Sequence, residues 1–145
     1  MRRSRGAARY DGTMTAPRTN QPPIPASFAE FWPYYMAAHQ DPRCRAVHYV
    51  GTSGGLASIA ATLTGASPWW LLAGLAWGYG CAWYGHLVHE KNKPASWVRW
   101  WWSLLGDWKM YGLWLTGRLR PHIEAGRDLP NINEMVEAQS RATAG

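Results

Sequence analysis

The longest uncharged segment of the chain lies between Arg45 and Glu90, where no Asp, Glu, Lys or Arg occurs. Apolar residues fill much of this segment, and a Gly-Ala-Ser-Pro sequence at 65–68 interrupts it. A helix that crosses a membrane needs about 20 predominantly apolar residues, so the segment can supply two crossings joined by a tight turn. The pattern therefore predicts an all-α membrane protein built on a hairpin of two transmembrane helices, over residues 47–64 and 68–88.

The aromatic residues favour this interpretation over the alternative, which is a pair of helices buried in the core of a protein outside the membrane. The chain has 11 tryptophans, and many of them cluster at 69–70 and within 97–114. Tryptophan is enriched where a membrane meets water. Glycines four residues apart, at 51 and 55 and again at 74 and 78, would let the two helices approach each other closely.

Amphipathic helices are expected to flank the hairpin. Ser27 and Glu30 form a capping-box pattern that predicts a short interfacial helix over residues 28–40. A second helix is predicted over residues 97–119, but its charged residues would be costly at the centre of a bilayer. We therefore expect the second helix to lie along the interface or to re-enter it, and a third crossing is the alternative.

Positive charge lies on either side of the uncharged segment. The net charge is +6, but the basic residues form neither a groove nor a recognition helix, which argues against a nucleic-acid partner. By the positive-inside rule, the site and both termini are expected to face the cytoplasm. The protein would then be integral to the inner membrane of a bacterium or to the endoplasmic reticulum of a eukaryote.

The two ends of the chain differ from its middle in composition. The Arg, Pro, Thr and Asn content of residues 1–26 predicts a disordered basic arm. Residues 27–119 form the predicted helical membrane domain, and residues 120–145 form a polar tail with one short helix around 133–140. We assign no chemistry to this tail, to its His122, or to the two cysteines, which do not have the spacing of a metal-binding pair.

Four of the five histidines lie in two short segments that a hairpin would bring to the same end. His39 and His48 lie around the start of the first helix, and His86 and His89 lie at the end of the second. His86, His89 and Glu90 have the spacing of residues that project from one side of a helix. Imidazole nitrogens bind iron, zinc and copper, and an added carboxylate favours iron or manganese. The sequence therefore predicts one metal ion held by these four histidines, with Glu90 as a further ligand.

The order of several short motifs resembles the Mpo1-like family over about residues 28–117. The resemblance rests on an aromatic segment before the first histidine, on the segments around three histidines, and on polar segments that follow them. In this chain the motifs are Phe31-Trp32-Pro33-Tyr34-Tyr35, His39 to Pro42, Cys44-Arg45, His48-Tyr49-Val50-Gly51-Thr52, Trp83-Tyr84-Gly85-His86, Glu90-Lys91-Asn92-Lys93-Pro94-Ala95, Ser103-Leu104 and Gly106-Asp107.

The resemblance implies an iron(II)-dependent dioxygenase that shortens 2-hydroxy fatty acids by one carbon. The family's motif histidines correspond to His39, His48 and His86. Glu90 also matches the family pattern, as a fourth ligand or as a partner that orients His86, and these four residues are the expected catalytic set. A 2-hydroxy acid and one dioxygen balance to the shorter acid, carbon dioxide and water, so no 2-oxoglutarate, NADPH or flavin is implied.

Four further residues near the histidines are candidates for substrate contacts or for support of the metal ligands. Arg45 and Lys91 could pair with a substrate carboxylate or with lipid headgroups. Asp107 could accept the second N–H of a ligand histidine, and Asn92 belongs to the same group of candidates. The expected partners are a 2-hydroxy fatty acid, dioxygen and membrane lipid, and the sequence leaves a homo-oligomer open.

Two other functions could use the same residues. A zinc-dependent lipid hydrolase would use the histidines as ligands and Glu90 as the general base. A membrane scaffold without catalytic activity would use the histidines only for polar contacts.

Overall fold

The computed structural model of the chain describes residues 25–143. Within that range the chain is all-helical, with six α-helices, one π-helical segment and no strand. In chain order these elements are α1 (Phe28–Ala37), α2 (Pro42–Leu63), α3 (Trp69–Tyr84), the π segment (Gly85–Glu90), α4 (Ser96–Leu115), α5 (Arg120–Gly126) and α6 (Ile132–Thr143). The basic arm predicted at 1–26 lies almost entirely outside the described residues.

Helix α1 begins as the capping pattern predicts. The Ser27 hydroxyl accepts the Glu30 N–H at 3.3 Å, and the Glu30 carboxylate accepts the Ala26 N–H at 2.9 Å. These bonds satisfy backbone donors that the first turn of a helix leaves without partners. Helix α1 ends at Ala37, three residues before the predicted end at 40.

Helix α2 starts at a second capped turn. The Asp41 side chain accepts the Arg43 N–H at 2.7 Å, and Pro42 is the first helical residue. Proline is favoured there because its missing N–H would have no partner in the first turn. The chain therefore turns within residues 38–41, which keeps His39 next to the beginning of α2.

Helices α2 and α3 are antiparallel and pack very closely. A Cβ atom at Gly51 would lie 2.8 Å from the Cβ of Cys81, and one at Gly74 would lie 2.5 Å from the Cβ of Ser58. Real Cβ atoms essentially never come this close, so both positions need glycine. The start of α2 and the end of α3 consequently lie side by side, as the hairpin topology predicted.

No helix within residues 25–143 is both long and apolar enough to cross a membrane. The predicted transmembrane hairpin over 47–64 and 68–88 is therefore wrong, and so is the placement in a membrane with the site and both termini facing the cytoplasm. The third crossing considered for 97–119 fails for the same reason. A segment without charges is not necessarily apolar, because α2 carries hydroxyl groups and glycines between Tyr49 and Thr62. Helix α3 has only 16 residues, whereas a crossing needs about 20.

The core lies where α1 meets α4, α5 and α6. Its buried residues are Phe31, Trp32, Tyr35, Met36, Ala95, Met110, Leu119, Ile132 and Met135. Two of these residues, Ile132 and Met135, belong to the segment expected to be a polar tail. Burial of a large apolar side chain contributes about 1.5–3 kcal/mol, so α6 adds to the same core as α1.

Candidate metal centre

Three histidines converge from three separate parts of the chain. His39 follows α1, His48 lies near the start of α2, and His86 lies in the π segment. Their ring centroids are 4.6 Å apart for His39 and His48, 4.6 Å for His39 and His86, and 5.2 Å for His48 and His86. All three side chains are buried, with 0%, 4% and 2% of the residue surface exposed. The structure thus brings together three of the four histidines proposed as ligands.

Protein oxygens hold the Nδ1 atoms of the first two rings. The distance from His39 Nδ1 to the Tyr35 carbonyl oxygen is 2.6 Å, and the distance from His48 Nδ1 to Asp107 Oδ1 is 2.7 Å. Carbonyl and ionised carboxylate oxygens can only accept, so Nδ1 must be the donor in both bonds. The ring proton of each neutral imidazole is therefore on Nδ1, which leaves a lone pair on Nε2.

The third ring is held in the same way by an amide. His86 Nδ1 lies 2.8 Å from Asn92 Oδ1, and the Asn92 amide nitrogen donates to the Ala38 carbonyl oxygen at 3.3 Å. The second bond fixes the amide so that its oxygen faces His86. The Nδ1 atom of His86 is then also the donor, and its Nε2 carries a lone pair.

The Nε2 atoms of His39 and His48 are buried and have no hydrogen-bond partner among the described residues. An unsatisfied buried polar atom costs about 1–3 kcal/mol. A metal cation bound by these lone pairs would remove that cost. Histidines that bind metals usually have their other ring N–H held by a carboxylate or a carbonyl group, which sets the tautomer and the ring orientation. The residues present therefore fit a metal ion.

Burial keeps the imidazoles of His39 and His86 neutral. Burial, together with His86 and His48, lowers the pKa of His39 well below its usual value. Burial and His48 lower the pKa of His86 to about 4. Because only the neutral ring offers a lone pair, both residues are ready to bind a metal at neutral pH.

The structure adds Cys44 to this group, although the spacing of the two cysteines predicts no metal-binding role for it. Donor atoms of His39, Cys44, His48 and His86 all lie within 4.8 Å of one another. Cys44 lies four residues before His48, so the two share a face of α2, and this spacing could have revealed the pair. Burial raises the pKa of the Cys44 thiol, which is therefore protonated in the metal-free protein.

Two of the predicted ligands lie outside this donor cluster. The ring of His89 packs edge-on against Tyr84, with centroids 5.6 Å apart. Glu90 Oε1 accepts the Asp41 N–H at 2.6 Å, so it links the end of the π segment to the turn before α2. Asn92, and not Glu90, forms the hydrogen bond that orients His86.

The two cations proposed for substrate contacts occupy different positions. Arg45 Nη1 donates to the carbonyl oxygens of His39 and Gln40 at 2.7 and 2.8 Å, so it holds the connection that carries His39. Lys91 has a left-handed backbone with φ of 54° and borders a surface cavity beside α6. Sequence reasoning also missed Tyr35, whose hydroxyl donates to the same Asp107 oxygen that accepts His48.

The fold and the site define a helical protein with a buried centre of three imidazoles suited to a metal ion. The family model described as "2-hydroxy-palmitic acid dioxygenase Mpo1-like" matches residues 25–119. The chain therefore belongs to the Mpo1-like family, which confirms the resemblance seen in its motifs. The matched range includes the three histidines, Cys44 and Asp107, whereas α5 and α6 lie beyond it. No curated protein and no solved structure matches the chain.

Proposed function

We propose that the protein is an iron(II)-dependent dioxygenase that converts 2-hydroxy fatty acids into fatty acids one carbon shorter and carbon dioxide. The observation that carries this proposal is the set of three buried imidazoles, each held at Nδ1 by an acceptor so that Nε2 is left free for a metal. The description of the family supports the dioxygenase chemistry and the class of substrate.

His39, His48 and His86 are the residues that would hold the metal. A centre with three neutral protein ligands leaves positions for a chelating substrate and for dioxygen. Bound iron(II) would supply the activation of dioxygen, which no amino-acid side chain provides.

The reaction balances without a second reductant. The bond between C1 and C2 of the 2-hydroxy acid breaks, C1 leaves as carbon dioxide, and C2 becomes the carboxyl carbon of the shorter acid. The substrate gives up four electrons, which are the four that reduce one dioxygen. One water is the remaining product, so the residues of the site need only bind, orient and shield the reactants.

The side chains around the histidines perform these tasks. Asp107 and Asn92 keep the ring protons on Nδ1 and fix the orientation of His48 and His86. The Tyr35 ring stacks on His39 with centroids 4.1 Å apart, which shields that imidazole from water. Arg45 fixes the backbone that carries His39.

The hydrogen bonds of the carboxylates near the histidines argue against a zinc hydrolase. Such an enzyme needs a general base near the metal, but the carboxylate beside the donor cluster, that of Asp107, already accepts hydrogen bonds from His48 and Tyr35. Glu90, the predicted base, is directed to the Asp41 amide. A scaffold without a metal would not explain why two buried imidazole nitrogens find no hydrogen-bond partner within residues 25–143.

The test is an assay of purified protein loaded with iron(II) under anaerobic conditions. Addition of 2-hydroxypalmitic acid and dioxygen should yield pentadecanoic acid and an equal amount of carbon dioxide, detected by mass spectrometry. The zinc-loaded protein should be inactive. Turnover without oxygen or with zinc alone would favour the hydrolase, and a protein that binds no stoichiometric metal would favour the scaffold.

Two histidine variants make the assay specific for the proposed centre. His48→Ala should lose both the iron and the activity, because it removes one of the three converging Nε2 atoms. His89→Ala should keep both, because its ring packs against Tyr84 outside the donor cluster. Loss of iron from His89→Ala would assign that residue to the centre and contradict the three-histidine set.

A further inference from the structure

An apolar cleft of about 310 Å³ lies between α2, α3 and α4. This volume is at the lower end of the range for small-molecule sites. His48 and Asp107 border the end of the cleft next to the metal centre, and Ile59, Leu71 and Leu72 border the opposite end. The cleft therefore begins at the candidate metal centre and runs along the groove between the two antiparallel helices.

The polar end of the cleft is bordered by a residue of the candidate metal centre. His48 is 4% exposed, and its Nε2 has no hydrogen-bond partner among the described residues. The same residue belongs to the metal-type cluster and to the wall of the cleft. A molecule with one polar end and a long apolar chain could thus occupy the centre and the cleft together.

Glycines in the wall of the cleft differ in what they do for helix packing. Gly51 and Gly74 are needed for close packing, since an added Cβ at either would collide with the facing helix. At Gly55 and Gly78 an added Cβ would meet only one backbone oxygen, at an ordinary 3.9 Å. Helix packing therefore does not explain glycine at 55 and 78, whereas an open cleft does.

We propose that this cleft holds the hydrocarbon chain of the substrate, with the 2-hydroxy acid end at His48 and the methyl end towards Ile59. The proposal rests on the proposed function, because that function supplies the polar end of the molecule. It assigns to Gly55 a role in setting the chain length that the protein accepts.

The rise of α2 gives the length of hydrocarbon chain that the cleft can hold. From His48 to Ile59, α2 rises about 16 Å at 1.5 Å per residue. A fully extended chain covers about 1.2 Å per bond, so this length holds about 13 of the carbon–carbon bonds of palmitate, and the methyl end of palmitate extends just beyond Ile59. Gly55 lies about 10 Å from His48 along the same helix, which corresponds to about 8 bonds. A side chain at 55 should therefore exclude long chains and admit short ones.

The experiment compares Gly55→Leu with the unaltered protein in two assays. Binding of palmitate and octanoate to the metal-free protein is measured by calorimetry, which does not depend on iron or turnover. Gly55→Leu should weaken palmitate binding by about tenfold or more and leave octanoate binding unchanged. Turnover of 2-hydroxypalmitic and 2-hydroxyoctanoic acids by the iron-loaded protein should show the same shift in preference.

Two further variants control the interpretation. Gly80→Leu is the matched control, because Gly80 lies on α3 outside the cleft, and an added Cβ there has nothing within 4 Å in the part of the chain that the structure describes. It should leave both affinities unchanged. Ile59→Trp narrows the far end of the cleft and should weaken palmitate binding less than Gly55→Leu does. If Gly55→Leu does not fold, Ile59→Trp replaces it in the test. Weaker palmitate binding with unchanged octanoate binding in Ile59→Trp would then support the proposal.

The outcomes separate the cleft from the proposed reaction. Palmitate binding that is equal in Gly55→Leu, Ile59→Trp and the unaltered protein would overturn the cleft proposal. Chain-length selection in the binding assay without any turnover would support the cleft and contradict the dioxygenase. Turnover of 2-hydroxypalmitic acid with an unaltered chain-length preference in folded Gly55→Leu would support the dioxygenase and overturn the cleft.

Discussion

Asp107 on α4 accepts a hydrogen bond from Nδ1 of His48 on α2, across 2.7 Å. The same carboxylate oxygen accepts the hydroxyl of Tyr35 on α1, so one atom joins three helices at the edge of the candidate metal centre. His48 is nearly fully buried, and the carboxylate fixes both its proton and its ring plane. The geometry of the centre therefore depends on a residue that is far from His48 in sequence.

Replacement of Asp107 by alanine should lower the affinity for iron(II) by about 10- to 100-fold, since His48 would lose the acceptor that sets its tautomer. Anaerobic titration against a competing chelator measures the change. Tyr35→Phe is the matched control, because it removes one hydrogen bond to Asp107 and keeps the bond to His48. It should have a much smaller effect. Equal affinities for Asp107→Ala and the unaltered protein would show that Asp107 does not support the centre.

A second pair of variants distinguishes Asn92 from Glu90. Asn92→Ala should weaken iron binding by a similar factor of about 10 to 100, because it removes the acceptor of His86 Nδ1. Glu90→Gln should keep the metal, since the carboxylate is directed to the Asp41 N–H and an amide oxygen can replace it as acceptor. Iron content and affinity of the two purified variants provide the comparison. If Glu90→Gln loses iron as completely as His86→Ala, Glu90 is a ligand.

The convergence of His39, His48 and His86 could be predicted from the sequence because it depends on connectivity. A short turn places His39 beside the start of α2, and an antiparallel pair of helices places His48 beside His86. These relationships need only the approximate ends of the helices. They remain valid although no helix within the described residues is long and apolar enough to cross a membrane.

The position of His89 could not be predicted because its spacing from His86 and Glu90 is typical of an α-helix. Residues three apart lie on one side of an α-helix, but residues 85–90 form a π-helical segment. The wider π turn rotates successive side chains differently, and His89 then packs against Tyr84 while His86 faces the centre. Nothing in the local sequence distinguishes the two kinds of turn.

The burial of α6 was missed because its apolar residues are few. Ile132 and Met135 are three residues apart in a polar segment, and they form a narrow apolar stripe. Such a stripe is buried only when a surface is available to cover it, which here is the core around α1. The local composition of the segment does not reveal that surface.

The metal-free protein should lose stability as the pH falls from about 6.5 towards 4. The unfolded chain takes up protons on its histidines near pH 6.5, whereas burial lowers the pKa of folded His86 to about 4 and that of His39 well below its usual value. The unfolded state therefore binds more protons in this range, so the free energy of unfolding decreases with falling pH. For His86 alone the shift corresponds to about 3 kcal/mol.

Urea denaturation of the metal-free protein between about pH 7 and about pH 5 measures this dependence. His86→Gln lacks one of the two groups, so its free energy of unfolding should change less steeply with pH than that of the unaltered protein. Parallel pH profiles for the two proteins would mean that His86 titrates normally in the folded state.

Helix α5 packs so closely on α1 that Gly126 has no room for a side chain. A Cβ atom there would lie 2.8 Å from the Ala37 nitrogen and 2.9 Å from the Met36 carbonyl carbon, and backbone atoms cannot move aside as a flexible side chain can. Gly126→Ala should therefore destabilise the protein by about 1–3 kcal/mol, measured by urea denaturation. Gly112→Ala near the C-terminal end of α4 is the control, because a Cβ there has nothing within 4 Å among the described residues. That change should stabilise the protein by about 0.5–1 kcal/mol, because alanine is the better helix former. If Gly126→Ala is as stable as Gly112→Ala, α5 does not pack on the end of α1 that leads to His39.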